Sequence, residues 1–224
     1  MTDYQPLVGI TRASAVAVEL KRMIIDGSLT PGTRLRQVEL AKHFSVSTTP
    51  VREALVELSR LGLVRLDAQR GFVVFVPTES DIRENYELRI ALEPLATEIA
   101  ALVISDSDLA RLSELVAEMR ETDDPVVYQR LNRVFHHVIY RASARPRFLE
   151  IIESLRDSFE AYIQIEAASA PDADYLKSAH EQHEAIASAL AARDASEARR
   201  LTQHHLEFNR QHYLQGPTRA PTSD

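Results

Sequence analysis

Seven of the eight histidines in this 224-residue chain lie beyond residue 135, and their spacing suggests a shared task. Asn132 and His136 are four apart, so on a helix they share one face and can approach a single ion together. His183 and His205 each stand about 11 residues from Arg193-Asp194. A turn there that makes the flanking helices antiparallel would bring them level. The doublets complicate the choice, because His137 is rotated ~100° from His136, and His204 likewise from His205, so only one of each pair can face a given cavity squarely. His180, three residues before His183, is a substitute for it. The other reading of these histidines is a hydrogen-bonded polar core without an ion. Arg89 lies among apolar residues in YELRIALE. An arginine on an inward stripe needs a carboxylate: either an organic acid held bidentately, or Glu93 at i+4 or another internal acid.

A second group of residues suits nucleic acid. Thr48, Thr49 and Arg52 fall in the first turn and a half of a helix that Ser47 or Thr48 can cap, that Pro50 suits in its first turn, and that Val51, Ala54, Leu55, Leu58 and Leu61 make amphipathic. An arginine there can take guanine O6 and N7 together; its alternatives are a solvated side chain or a pair with Glu53 or Glu57. The preceding elements have the right lengths. Val16, Leu20, Met23 and Ile24 give a helix over 13–26 stopped by Gly27, Pro31-Gly32 makes a turn, and 37–44 is a short second helix. After Gly62, the runs 63–66 and 71–76 flank the polar 67–70, a hairpin signal.

Beyond Pro77-Thr78 no strand-like alternation persists. Six helical segments are predicted at about 80–104, 106–121, 125–142, 146–168, 174–193 and 195–214, with breaks at Ser105-Asp106, Asp123-Asp124-Pro125, Pro146, Pro171 and Asp194. The expected fold is therefore mainly α: an N-terminal winged helix-turn-helix of three helices and a two-stranded wing over 1–77, an all-α bundle of six or seven helices over 78–215, and a disordered tail over 216–224.

The net charge of −7 is unevenly placed: residues 1–77 carry 10 Lys and Arg against 7 Asp and Glu, and residues 78–224 carry 16 against 26. A basic head can approach phosphates while an acidic body stays soluble. With no cysteine, disulfides, thiolate metal sites and thiol nucleophiles are excluded. No basic-then-apolar leader and no long uncharged apolar stretch occurs, so a cytoplasmic protein is expected.

The string VSTTPVREALVELSRLGLVRLDAQRGFVV, preceded by IIDGSLTPGTRL, resembles the DNA-binding domain of the GntR family of bacterial regulators. YELRIALEPLATEIAA, NRVFHHVIYRAS and HEAIASALAARDASEARRLTQHHL resemble the helical effector-binding domain, called FCD, of its FadR-like subgroup. The resemblance covers about residues 10–210. It implies a homodimeric transcription regulator, expected to be a repressor, that reads a pseudo-palindromic operator and changes DNA affinity when a small molecule binds the helical domain. For DNA contact it points to Thr48, Thr49, Arg52 and, at the wing tip, Arg70 and Gly71. The family commonly carries arginine where this chain has Thr48 and often a basic residue near Val38; Arg36 could supply a phosphate contact instead.

In the FCD pattern an acidic residue, a histidine four later and two histidines on the last two helices hold a divalent metal, and the matching positions are Asn132, His136, His183 and His205. Three imidazoles suit zinc or nickel and leave positions open for water or an effector carboxylate. Asn132 replaces the usual aspartate with a neutral, poorer ligand. The resemblance also places Arg89 toward the effector pocket, together with Asn132, and a small carboxylate is the expected effector. The rival reading is a metal-dependent enzyme built on the histidines, but no HExxH string and no glycine-rich phosphate loop occurs.

Overall fold

A computed structural model describes residues 11–169 and 173–215. The chain divides into two compact units, Met1–Val76 and Pro77–Asp224. The first contains α1 (Arg12–Ile25), α2 (Gln37–His43), α3 (Thr48–Arg60), β1 (Val64–Asp67) and β2 (Gly71–Val74). Thr11 caps α1 by accepting the Ser14 N–H, and Val16, Ala17, Leu20 and Ile24 form its buried face. Gly27, at φ +77°, turns the chain out of the helix. In α3, Val51, Ala54, Leu55 and Leu58 are buried at the expected spacing. Ser47 occupies the N-cap position, but its hydroxyl makes no capping bond.

The two strands are antiparallel with Val64 opposite Val74 and Asp67 opposite Gly71. Their turn is held by Asp67, whose Oδ1 accepts the backbone N–H of Gln69 at 2.8 Å and of Arg70 at 2.6 Å. Those bonds, the Arg70 one largest, hold its carboxyl below the usual range. Asp67 thus has a structural role in the wing turn.

Among the described residues the second unit has six helices: α4 (Glu79–Val103), α5 (Asp106–Glu121), α6 (Pro125–Ala142), α7 (Pro146–Ser169), α8 (Ala173–Ala191) and α9 (Ala195–Gln215). The predicted ends agree to within two residues, and polar caps mark the starts of α4, α5, α6 and α9. Thr78 and Asp81 form a reciprocal capping box on α4. Ser105 accepts the Asp108 N–H of α5, and Asp124 accepts the N–H groups of Val126 and Val127 on α6. The predicted break at Pro171 and the tail over 216–224 lie outside the described residues. The apolar core joins Ala96, Leu112, Leu115, Met119, Phe135, Ile139, Ile186 and Leu190. Among the described residues no helix is long and apolar enough to cross a membrane.

Candidate DNA and effector sites

In the first unit, Thr48, Thr49 and Arg52 are exposed on the first turns of α3. Among the described residues Arg52 makes neither of the ion pairs weighed for it, with Glu53 or with Glu57. A free guanidinium at the N-terminal, solvent-facing part of the third helix is the geometry that base reading in a major groove requires. Arg36, the N-cap residue of α2, donates to Glu39 at 2.9 Å on the surface, so a phosphate would have to compete with that carboxylate. Arg70 at the wing tip donates to the Gly32 carbonyl at 3.1 Å. Gly71 has φ +74°, and a Cβ added there would meet nothing within 4 Å. The constraint on it is therefore the backbone angle rather than space.

In the second unit, five helices build one polar centre. His136 on α6, His183 on α8 and His205 on α9 are buried, and their nearest ring nitrogens all lie within 4.8 Å of one another. His136 Nε2 is 3.3 Å from His183 Nε2. Burial pushes the imidazoles down, His205 to about 3 and the other two well below their ordinary value, so all three are neutral, each with one ring nitrogen that carries a lone pair. The neighbouring histidines go elsewhere. His137 pairs with Glu153 at 2.5 Å, His180 packs edge-on against Tyr128, and His204 is exposed.

Asn132, one turn before His136, donates its Nδ2 to Gln129 at 3.4 Å, while its Oδ1 is buried and has no partner among the described residues. A buried acceptor left open beside three neutral imidazoles is chemically matched to a divalent cation, so this residue set fits a metal. With Gln129, Arg89 and Arg156, Asn132 and His136 line a cavity of about 20 Å³. That is room for a water molecule or an ion.

Arg89 is buried and donates Nε to Glu93 Oε1 at 2.5 Å. The internal pair is therefore made, and the same guanidinium lines the cavity. Glu93 is fully buried. Burial raises its pKa, but Arg89 and Arg156 outweigh that and hold the carboxyl below its ordinary range. Arg156 approaches Glu93 at 3.5 Å, and the Tyr140 hydroxyl donates to it.

Four members of this network escaped sequence reasoning. Tyr140 and Asn209 stand four residues after His136 and His205, a spacing that could have found them. Gln182, whose Oε1 accepts from His205 Nδ1 at 2.9 Å, and Arg156 carry no local signal, because only the packing of helices brings them in.

A winged helix-turn-helix with a free arginine at the start of its third helix, followed in the same chain by a helical unit with a buried polar centre, defines a DNA-binding transcription regulator. Comparison with known proteins gives the family. Residues 12–74 match the bacterial regulatory proteins of the gntR family and residues 84–208 match the FCD domain, the latter alone more than half of the chain. The chain belongs to the GntR family and carries an FCD domain, as FadR-like members do. It is 35% identical over 146 residues to the HTH-type transcriptional regulator YdhC of Bacillus subtilis, covering 62% of this chain and 64% of that protein. It is 32% identical over 160 residues to the gluconate operon transcriptional repressor of Bacillus licheniformis, covering 69% of this chain and 65% of that one. The matched region is thus slightly under two thirds of each relative's length. The solved structure of Escherichia coli McbR/YncC superposes with a TM-score of 0.77 at 27% identity, covering 90% of this chain and 96% of that one. The family and these relatives are transcription regulators, not enzymes.

Proposed function

We propose that the protein is a homodimeric repressor that reads a pseudo-palindromic operator through Thr48, Thr49, Arg52, Arg70 and Gly71, aided by Arg36, and responds to a small carboxylate bound beside a divalent metal in its helical unit. The observation that carries the effector half is the set of Asn132, His136, His183 and His205, with a buried, unpartnered amide oxygen on the first and three buried, neutral imidazoles facing one another. These four residues would hold zinc or nickel, and the metal when bound supplies a Lewis-acidic position for a carboxylate oxygen. Arg89 and Arg156 offer the cations that orient an organic acid. The relative named for a gluconate operon supports an acid effector and a repressor role.

The cavity of about 20 Å³ beside Asn132 and His136 is too small for an organic acid, so acid binding has to move side chains of the cavity wall. That requirement gives a local event through which a ligand can bias the conformation of the dimer.

Elemental mass spectrometry on the purified, untagged protein tests the metal half. About one metal per chain, lost in both His136→Ala and His183→Ala, is the expected result. A metal-free wild type would overturn it and leave Arg89 with the histidines as a metal-free pocket. Operator affinity at fixed salt, with and without saturating carboxylate, tests the response, and an unchanged affinity would overturn that part.

A further inference from the structure

A neutral imidazole offers a lone pair on only one of its two nitrogens, and which one depends on the hydrogen bond at the other. His136 Nδ1 lies 3.1 Å from the Tyr140 hydroxyl oxygen. That hydroxyl has a single proton, and its geometry commits it to Glu93 Oε2. Glu93, held ionised by Arg89 and Arg156, can only accept. The Tyr140 oxygen therefore faces His136 with lone pairs alone, and the proton in that contact has to sit on His136 Nδ1. Its Nε2 is then a bare acceptor pointing at His183 Nε2, 3.3 Å away.

The same logic does not extend to every histidine of the cluster. His205 Nδ1 contacts Gln182 Oε1 at 2.9 Å, and its Nε2 contacts Asn209 Nδ2 at 3.0 Å. The Asn209 amide is itself oriented by the Tyr175 hydroxyl, which donates to its Oδ1 at 3.0 Å. His205 is thus also a Nδ1–H tautomer, set by amides. His183 Nδ1 is buried with no hydrogen-bond partner, so nothing outside the cluster fixes that ring.

We propose that Glu93 and Tyr140 are positioning residues that clamp His136 in its Nδ1–H tautomer, presenting its Nε2 lone pair to the centre of the imidazole cluster. The clamp deepens the metal-site reading above and rests on it for its purpose, but the tautomer is a property of the protein without metal.

The experiment uses full-length, chelator-treated protein labelled with ¹⁵N-histidine, in which long-range ¹H–¹⁵N correlations distinguish protonated from bare ring nitrogens; His136→Gln identifies the signals. In the wild type His136 is expected to show protonated Nδ1 and bare Nε2. Tyr140→Phe removes the acceptor and should give Nε2–H or a mixture. Glu93→Gln should do the same by freeing the Tyr140 proton for His136 Nδ1. Because Glu93→Gln disturbs two arginines and could fail to fold, Tyr140→Phe carries the decision. Zinc affinity of Tyr140→Phe, by competition with a chelating dye, should fall ~10–100-fold, with the His205 signals unchanged. A wild-type His136 protonated on Nε2, or a Tyr140→Phe protein that keeps Nδ1–H, overturns the clamp. A wild type that binds no zinc overturns the metal reading instead, while the tautomer result still decides the clamp.

Discussion

Replacing Arg89 by methionine keeps most of the side-chain volume but removes the guanidinium that donates to Glu93 at 2.5 Å in a site where the arginine is 4% and the glutamate 0% exposed. The carboxylate is left with Arg156 at 3.5 Å and the Tyr140 hydroxyl. Breaking one side of a buried pair costs about 3–5 kcal/mol, since the remaining charge stays out of water. At ~2–4 °C per kcal/mol for a unit of this size, the melting temperature of the helical unit should drop by roughly 6–20 °C. The pH dependence separates this mechanism from a packing defect. In the wild type, burial raises the Glu93 pKa but the two arginines bring it below the ordinary 4.5. The ionised group therefore stabilises the fold above the unfolded-state pKa, and that contribution is lost as pH falls through the folded value. In Arg89→Met, burial prevails and the folded pKa rises above the unfolded one, so protonation relieves the strain and the deficit narrows between pH 7 and pH 5. Urea denaturation followed by circular dichroism at both pH values measures it. A deficit under about 1 kcal/mol, or one equal at the two pH values, would refute the reasoning.

Two further substitutions test the sites separately. Arg52→Ala should cost ~1–3 kcal/mol on operator DNA selected from a random library and flatten the base preference at the position it reads; a uniform loss across all sequences would assign Arg52 to phosphate instead. Asn132→Asp adds a charged oxygen beside His136 and should tighten zinc binding by about tenfold or more, ~1.4 kcal/mol; no gain would mean that this oxygen does not face the ion.

Several helices were legible because they carry their own punctuation. Thr78, Ser105 and Asp124 are caps that act within three residues, and the α3 stripe repeats at helical spacing whatever packs against it. The wing was legible from the Gly71 turn and two short apolar runs, although β2 ends at Val74 rather than continuing to Val76. Fine detail fared less well. Nothing in VSTTP tells that the Ser47 hydroxyl makes no capping bond, because a serine at that position also has solvent to choose from. Met23, read as part of the α1 face, is not in the buried set, while Ala17 is. A four-residue apolar stripe on a helix fixes its inward direction better than its edges.

For the polar centre, local spacing found pairs on one helix and missed links between helices. Asn132 with His136, and Arg89 with Glu93, are four apart and were available to inspection; Arg156 and Gln182 enter from α7 and α8, and no periodicity predicts them. The same division bears on what the centre is for. A buried polar network repays its desolvation only when its members are satisfied, and around the imidazoles most are: Glu93 by three donors, His205 by two amides, His136 by Tyr140. Asn132 Oδ1 is left without a partner beside His136, in a space of about 20 Å³ that suits an ion. His183 Nδ1 is also without a partner, so the cluster is not fully satisfied by its own hydrogen bonds. A purely structural polar core has little reason to leave both groups open, and an open amide oxygen beside His136 favours an ion over a hydrogen-bonded core.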